Sequence, residues 1–309
     1  MHLAPIEDAV VRAHLEGIAA DGMDIFLISD SNYRGAILHA TRLVNQMRSN
    51  HELGILETLL LGHSYIAAGL LTSLVKGNDR VSLAIECDGP ARGVSVESNA
   101  RGEVRGYLRA RSIPVEGPVE SFDLAPYIGD GTLSVTRHLE MARRPFTGHT
   151  RMKHGNLAKD LAEHFVVSEQ TPSAVSLSIQ FDREGRVSGA GGLFIQSMPG
   201  ADRSGGAALE DRVRRLPSLG SLFAEGDTPA HIVKTYLSDF GAELIGTRSI
   251  EFSCHCNKEI YAEYLGSLPQ TELADIRKHG PFPLRITCHN CNSTYTYERE
   301  EIESIANTR

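Results

Sequence analysis

Four of the five cysteines fall in two tight pairs close to the C-terminus of this 309-residue chain. Cys254 and Cys256 have one residue between them, and Cys288 and Cys291 have two. Residues 257–287 separate the pairs, and these 31 residues are enough for a helical hairpin and a strand. Two such pairs, brought together in a small domain, make the tetrahedral four-thiolate site that zinc prefers. We therefore expect the four cysteines to hold one zinc ion.

Two interpretations of this site follow from the residues. In the first, the zinc is structural and only keeps the C-terminal segment folded. In the second, the site is a redox switch, because Cys254 and Cys256 are closer in sequence than the ligands of most structural zinc knuckles. Two sulfurs so close can bond to each other once the metal leaves, and a thiolate is the form that oxidants attack. A segment that folds only around its metal would then come apart. The residues leave both interpretations open.

The charge of the chain argues against a nucleic-acid partner. The net charge is −8, and the segment from Glu251 onward has nine acidic and six basic residues. Binding of phosphates requires a clustered positive face. We therefore expect no nucleic acid at the cysteine site, although that is a common partner of zinc ribbons.

The sequence predicts a cytoplasmic protein that does not enter the membrane. Residues 1–8 lack a basic stretch followed by an apolar run, and most of the few cysteines are grouped as metal ligands, as in a reducing compartment. Residues 59–75 form a 17-residue run without Asp, Glu, Lys or Arg. That run is short for a membrane span and includes His63, so it predicts a buried core helix.

The fold class is predicted to be α+β, with a large N-terminal mixed α/β domain over residues 1–197. Strand patterns outnumber helical ones and do not alternate with them regularly. Helical periodicity covers residues 34–48, 52–76 and 156–167, and strand patterns cover residues 23–29, 81–86, 94–97, 104–108, 133–138, 175–181 and 192–196.

Two smaller regions follow. Residues 198–248 are predicted to be a helical linker, whose short amphipathic helices cannot form a core alone and must lie on another surface. Residues 249–309 are predicted to be the C-terminal zinc-binding domain, in which Tyr295 and Tyr297 alternate as in a strand. The expected linker helices cover residues 209–216, 219–223 and 231–240, and the expected helices of the last domain lie around residues 260–265 and 269–280.

Three further residues have side chains capable of redox chemistry or metal binding. Cys87 follows a predicted strand and is expected to be a small buried apolar residue. His255 and His289 lie inside the two cysteine pairs, and we expect them to flank the site, because four cysteines already complete a tetrahedral set.

Several segments resemble one known family. One feature is the spacing of the two cysteine pairs. The others are the Cys-Asp-Gly-Pro sequence at residues 87–90, the segments 168–175 and 191–200, and Leu-Pro-Ser-Leu at residues 216–219. In these features the chain resembles the 33-kilodalton heat-shock protein family, which are redox-regulated holdase chaperones, and the similarity runs over nearly the whole chain.

The resemblance implies a mechanism without enzymatic turnover. Members of the family hold zinc through the four thiolates when reduced and are then inactive. Oxidants such as peroxide form neighbour disulfides, which here would be Cys254–Cys256 and Cys288–Cys291. The zinc then leaves, the zinc domain unfolds and the linker loses its packing. The exposed apolar surface binds unfolding client proteins without ATP, and the activated protein forms a homodimer. The sequence contains no Gly-x4-Gly-Lys-[Ser/Thr] phosphate loop, in agreement with independence from ATP.

Two other functions compete with this one. A thiol–disulfide oxidoreductase would usually place its Cys-x-x-Cys at a strand-to-helix start, whereas Cys288 is expected to follow a strand within a zinc knuckle. The third possibility is a zinc-ribbon module that binds a nucleic acid or a protein partner.

Overall fold

The α+β class is confirmed. The computed structural model describes residues 1–29, 32–115 and 121–307, with only the backbone at 203–205 and 306–307. Two large sheets and a small hairpin account for its strands. The first sheet has the order β10-β1-β2-β9-β8 and is antiparallel throughout. Its strands are β1 (Gly22–Ile28), β2 (Tyr33–His39), β8 (Ser173–Phe181), β9 (Val187–Ser197) and β10 (Ala242–Ser249).

The second sheet has the order β11-β5-β4-β3-β6-β7. All its neighbours are antiparallel except β11, which pairs in parallel with β5. Its strands are β3 (Arg80–Cys87), β4 (Gly93–Asn99), β5 (Glu103–Leu108), β6 (Gly131–His138), β7 (Phe146–Arg151) and β11 (Glu251–Phe252). The hairpin consists of β12 (Leu284–Thr287) and β13 (Thr294–Tyr297).

One long helix lies between the two large sheets. An added Cβ at Gly69 of α3 would lie 2.8 Å from Leu38 of β2 and 4.0 Å from Val104 of β5, one strand from each sheet. The helices are α1 (Ala9–Gly17), α2 (Thr41–His51), α3 (Ile55–Leu71), α4 (Ala125–Ile128), α5 (Leu157–Glu169), α6 (Arg203–Arg214), α7 (Leu219–Ala224), α8 (Pro229–Tyr236), α9 (Lys258–Ser267), α10 (Gln270–His279) and α11 (Arg299–Asn307), with 3-10 turns at Thr72–Leu74 and Ser238–Phe240.

The apolar run in α3 is a core helix, as predicted. Within the described ranges, Ile55–Leu74 is the one helix long and apolar enough to cross a membrane, and 89% of its most apolar window is buried inside the protein. Such a helix, apolar on every side, is typical of the centre of a large soluble domain.

The prediction of a helix over residues 34–48 was wrong in its first part. Residues 34–39 belong to β2, and the helix α2 begins only at Thr41. The cause is the position of β2 at the centre of the first sheet, where the strand is buried on both faces. Ala36 and Leu38 lie in the main core, whereas Ile37 lies in a second apolar cluster on the opposite face. A strand buried on both faces is a continuous apolar run, and periodicity cannot separate it from a helix.

The linker helices α6, α7 and α8 cover the outer face of the first sheet. Their apolar residues and those of β1, β2 and β9 form the second apolar cluster, hereafter the linker-covered cluster. The packing is tight, since an added Cβ at Gly189 of β9 would lie 1.9 Å from the Gly220 carbonyl oxygen of α7. The buried members of the cluster are Phe26, Ile28, Ile37, Leu193, Ile195, Leu209, Leu219, Leu222, Phe223, Ile232, Val233 and Leu237.

The end of the predicted helical linker needs a correction. Residues 242–248 are not helical but lie in β10, which pairs with β1 at the edge of the first sheet. The strand pattern is hidden in the sequence because Leu244 and Ile245 are adjacent and both are exposed, so the strand has no alternation of apolar and polar residues. The division of the chain at residues 197 and 248 stays a prediction.

Candidate metal centre

The four predicted cysteine ligands come together. Cys254 and Cys256 follow β11, whereas Cys288 and Cys291 lie between β12 and β13. Their four Sγ atoms all lie within 4.8 Å of one another, with 3.8 Å between Cys254 and Cys288 and 3.3 Å between Cys256 and Cys291. Four sulfurs at 2.3 Å from a central ion would be about 3.8 Å apart. The cluster therefore has the size and the donor atoms of a four-coordinate metal site.

Backbone hydrogen bonds shape the second cysteine pair. The Cys288 amide donates to the Ser293 carbonyl at 2.9 Å, and the Asn292 amide donates to the Cys288 carbonyl at 2.8 Å. Asn292 takes a positive φ of 56°, a conformation that Asn tolerates better than most residues. The chain thus turns back sharply, and both sulfurs of the pair face the same point.

The first pair is fixed by the N-terminal part of the chain. β11 extends the second sheet beside β5, and the Ser253 amide donates to the Val104 carbonyl at 3.1 Å. Phe252 is buried and stacks on Tyr65 of α3, with ring centroids 6.2 Å apart. Cys254 is therefore held directly against the core of the molecule.

Arg105 of β5 brings a positive charge to the sulfur cluster. Its Nη1 lies 3.7 Å from Cys254 Sγ, and its Nη2 donates to Glu97 Oε1 at 2.8 Å. The guanidinium is oriented by the carboxylate and only about a quarter exposed. It offsets part of the negative charge of a four-thiolate site.

Asn50, at the end of α2, ties the second cysteine pair to the N-terminal region. Its side-chain amide donates at 2.9 Å to the backbone carbonyls of Cys291 and His2. The backbone carbonyl of Asn50 accepts a hydrogen bond from the Asn292 side chain at 2.8 Å. Asn50 is buried, so the loss of these partners would leave unsatisfied polar atoms.

A tyrosine closes the other side of the cluster. The Tyr295 hydroxyl donates to the Cys256 carbonyl at 2.9 Å and lies 3.3 Å from Cys256 Sγ. Burial and then contact with Cys256 raise the pKa of Tyr295, so the hydroxyl stays protonated. Tyr261 of α9 packs on the same ring at 5.5 Å between centroids.

Contacts between the thiols govern their acidity. Hydrogen bonds from Cys254 and Cys291 lower the pKa of Cys288 far below its usual range. Hydrogen bonds with Cys254 and Cys288 raise the pKa of Cys291 far above it. Without a cation the cluster therefore favours one thiolate and disfavours the next, because like charges would meet in a buried site. A bound divalent cation is what lets all four sulfurs be deprotonated.

The other candidate residues lie outside the four-sulfur group. His255 Nε2 is 2.9 Å from Glu103 Oε2, and the His289 ring packs edge-on against Tyr107 with centroids 5.5 Å apart. Cys87 is half-buried at the end of β3. Burial raises the pKa of Cys87, which disfavours the reactive thiolate.

Sequence reasoning missed the partners that the N-terminal region supplies to the site. Glu103 and Arg105 belong to β5 and Asn50 to α2, and each lies at least 149 residues away in sequence from the residue that it contacts at the site, which is His255 for Glu103, Cys254 for Arg105 and Cys291 for Asn50. Nothing in their local sequence marks them.

The chain is thus a two-sheet α+β protein in which four thiols from two distant segments converge on a group that could hold a metal ion. The family model described as Hsp33 protein matches residues 21–298. The chain belongs to the Hsp33 family.

Relatives and a solved structure agree with this membership. The chain is 33% identical to the 33 kDa chaperonin of Desulforamulus reducens over 279 residues, 90% of this chain and 94% of the relative. It is 31% identical to that of Enterococcus faecalis over 300 residues, 93% of this chain and 99% of the relative. The crystal structure of the 33 kDa chaperonin from Thermotoga maritima superposes on this chain with a TM-score of 0.81 at 31% sequence identity. The superposition covers 94% of this chain and 99% of the Thermotoga maritima chain. Family membership supports a chaperone function.

Proposed function

We propose that the protein is a redox-regulated, ATP-independent holdase that binds unfolding proteins under oxidative stress. The observation that carries the proposal is the buried four-sulfur cluster, whose atoms lie within 4.8 Å of one another and join two chain segments separated by 31 residues. The cluster lies one short strand away from β10 and the linker. A change at the sulfurs therefore has a direct route along the chain to the covered apolar surface.

In the reduced state, Cys254, Cys256, Cys288 and Cys291 would hold one zinc ion. The size of the cluster and its all-sulfur donor set fit zinc. Bound zinc would neutralise part of the thiolate charge and tie the two cysteine pairs together. Arg105 and Asn50 would orient the site from outside, as surrounding hydrogen-bonding partners do in metal centres.

Oxidation would remove the donor atoms. Following the family resemblance, we propose the disulfides Cys254–Cys256 and Cys288–Cys291. In each, two thiolates and one hydrogen peroxide, with two protons, give one disulfide and two waters. Both bonds lie within a pair, so neither holds one pair to the other. The C-terminal domain would then lose the ion-dependent link that folds it.

The second step of the proposed mechanism is exposure of the linker-covered cluster. The linker-covered cluster has twelve buried apolar residues, which come from the first sheet, from the helices α6, α7 and α8, and from Leu237 directly after α8. Short helices of this kind depend on packing for their stability. Once they detach, a contiguous apolar face is exposed, and such faces bind other proteins.

The switch predicts a redox-dependent activity. Protein treated with peroxide is expected to suppress the aggregation of a thermally unfolding client enzyme at about equimolar ratio, whereas the zinc-loaded reduced protein is not. Light scattering without ATP measures both, and re-reduction with added zinc is the control for reversibility. Equal suppression by the two forms would remove the switch from the proposal.

A second prediction concerns Arg105. Arg105→Gln removes the cation beside Cys254 and is expected to lower the affinity for zinc by about tenfold, within the range known for outer partners of metal sites. Competition with a chromogenic zinc chelator measures the effect. Arg80→Gln is the matched control, because Arg80 contacts the same carboxylate, Glu97, at 3.8 Å on a more exposed side. Equal affinities in the two variants would contradict the role given to Arg105.

The remaining family expectations are part of the same proposal. We place the protein in the cytoplasm, with a homodimer as its oxidised form and unfolded proteins, rather than nucleic acids or membranes, as its partners. Sedimentation of the reduced and oxidised forms tests the dimer. The oxidoreductase alternative is disfavoured because Cys288 and Cys291 are buried in a hairpin turn rather than at the start of a helix. Turnover in an insulin-reduction assay would revive it.

A further inference from the structure

β10 is one of the two edge strands of the first sheet as described, and its residues 242–248 are the final part of the predicted linker. It follows α8 and the short turn at Ser238–Phe240, and Ile250 alone separates it from β11. It therefore lies between the two elements that the proposed function releases. When the helices and the sulfur cluster loosen, β10 loses the folded elements that precede and follow it in the chain.

The side chains of β10 contribute little to its attachment. Leu244 and Ile245 are 46% and 58% exposed, and most of the strand is open to solvent. The pairing with β1 is interrupted between Ile25 and Phe26, where Ile25 pairs with Gly246 and Phe26 with Leu244. Ile245 is thus an extra residue in a β-bulge, a device that protects sheet edges against pairing with other chains.

Arg248 is the main side-chain anchor. Its guanidinium donates to the carbonyls of Thr72 and Val75, beyond the C-terminal end of α3, where a positive charge is favourable. One anchored end and a backbone ladder hold β10 in place. Strands with few buried side chains are the first to open.

β1, the strand that pairs with β10, is apolar and regular, whereas β10 is exposed and bulged. β1 reads Gly-Met-Asp-Ile-Phe-Leu-Ile, with Asp24 as its single charged residue. It pairs with β2 over seven consecutive residues without a bulge. Phe26 and Ile28 face the linker-covered cluster, so release of the linker exposes them beside the same edge. Removal of β10 exchanges a bulged edge for a regular, apolar and unpaired one.

We propose that the β1 edge is the client-binding site of the activated protein, and that it takes an extended apolar segment of an unfolding polypeptide as an antiparallel strand. The inference rests on the proposed function, because it requires release of the linker. Added strands gain affinity from backbone hydrogen bonds and specificity from pockets for alternate side chains. Here the pockets are the uncovered surfaces at Phe26 and Ile28.

The bound β10 indicates which occupant fits. It is an extended strand of eight residues that stays on β1 with its central side chains in solvent, so backbone pairing holds a strand at this edge without a particular sequence, and apolar side chains at Phe26 and Ile28 would add to that pairing. Unfolding proteins share such extended segments and few other features. A strand site of this kind therefore suits clients of unrelated sequence.

Amide hydrogen exchange of the full-length protein tests the proposal. The amides of residues 22–28 that point to β10 are expected to be protected in the zinc-loaded reduced form, exposed after peroxide treatment, and protected again with chemically denatured luciferase. A fluorescent peptide with the sequence of residues 242–249 is expected to bind only the oxidised form and to compete with the client. The same peptide, N-methylated on alternate residues along its pairing edge, is expected to bind about tenfold more weakly or worse, since it keeps the side chains but loses the backbone donors.

The outcomes separate this inference from the function on which it rests. If the oxidised protein suppresses aggregation while residues 22–28 stay protected throughout, or stay exposed in the client complex, the edge is not the site and the holdase function stands. Equal binding of both peptides also overturns it. Reprotection without client in a species that sediments as a dimer would assign the edge to a second copy instead. Failure of the oxidised protein to suppress aggregation rejects the proposed function itself.

Discussion

The variant Cys288→Ser is expected to be purified under reducing conditions with much less than one zinc ion per chain and with a C-terminal region open to proteases. Cys288 Sγ lies 3.8 Å from Cys254 Sγ, across the two pairs. A serine hydroxyl is a poor substitute for a thiolate at a soft site. We expect the affinity for zinc to fall by more than about a hundredfold, because loss of an outer partner alone costs 10–100-fold.

The effect on folding should be large because the C-terminal domain has a small core of its own. Structural zinc supplies about 10–16 kcal/mol of apparent folding free energy in small domains. The apolar residues buried in the tail outside the cysteines are few, and segments of this size rarely fold without a metal or disulfide. They are Ile250, Phe252, Leu265, Leu273, Tyr295, Tyr297 and Ile302.

Zinc content by atomic absorption and limited proteolysis, both under dithiothreitol, measure the two effects. Cys87→Ser is the matched control, since Cys87 is a thiol of the same chain outside the four-sulfur group. It is expected to keep a full zinc ion and the resistance of the unmodified protein. A Cys288→Ser variant with unchanged zinc content and proteolysis would refute the ligand assignment.

The sequence was most informative where the chemistry is local. Two cysteine pairs at short spacing predict a metal site whatever the rest of the chain does, and the structure brings all four sulfurs together. Arg105 and Asn50 were not predictable in the same way, because their proximity to the site depends on the parallel pairing of β11 with β5 and on the end of α2. Contacts made only by tertiary structure leave no local pattern in a single sequence.

The errors in the fold have a common physical origin. The pattern of β2 predicts a helix because that central strand is buried on both faces, and the pattern of β10 predicts no strand because that edge strand is exposed on both. Alternation of apolar and polar residues identifies a strand only when one face is buried and the other is solvated. β2 and β10, which the sequence patterns missed, are both neighbours of β1 in the first sheet.

Phe223→Ala is expected to make the reduced, zinc-loaded protein partly active as a holdase. Phe223 is fully buried in α7, stacks on the ring of His39 at 4.5 Å and packs against Gly191. Truncation of a buried phenylalanine costs about 3–5 kcal/mol. The substitution destabilises the contact between the linker and the first sheet, so the population with a detached linker increases. The zinc site keeps its four cysteines.

Aggregation of a thermally unfolding client, together with zinc content, measures this uncoupling. Phe165→Ala is the matched control, because Phe165 is equally buried but lies in the main core, where it contacts Phe194 at 5.1 Å between centroids. We expect the control to lose similar stability against denaturant without gaining activity in the reduced state. If both variants become active to the same degree, general destabilisation rather than release of the linker exposes the client surface. If Phe223→Ala stays inactive until oxidised, the linker-covered cluster is not the surface that the zinc centre keeps closed.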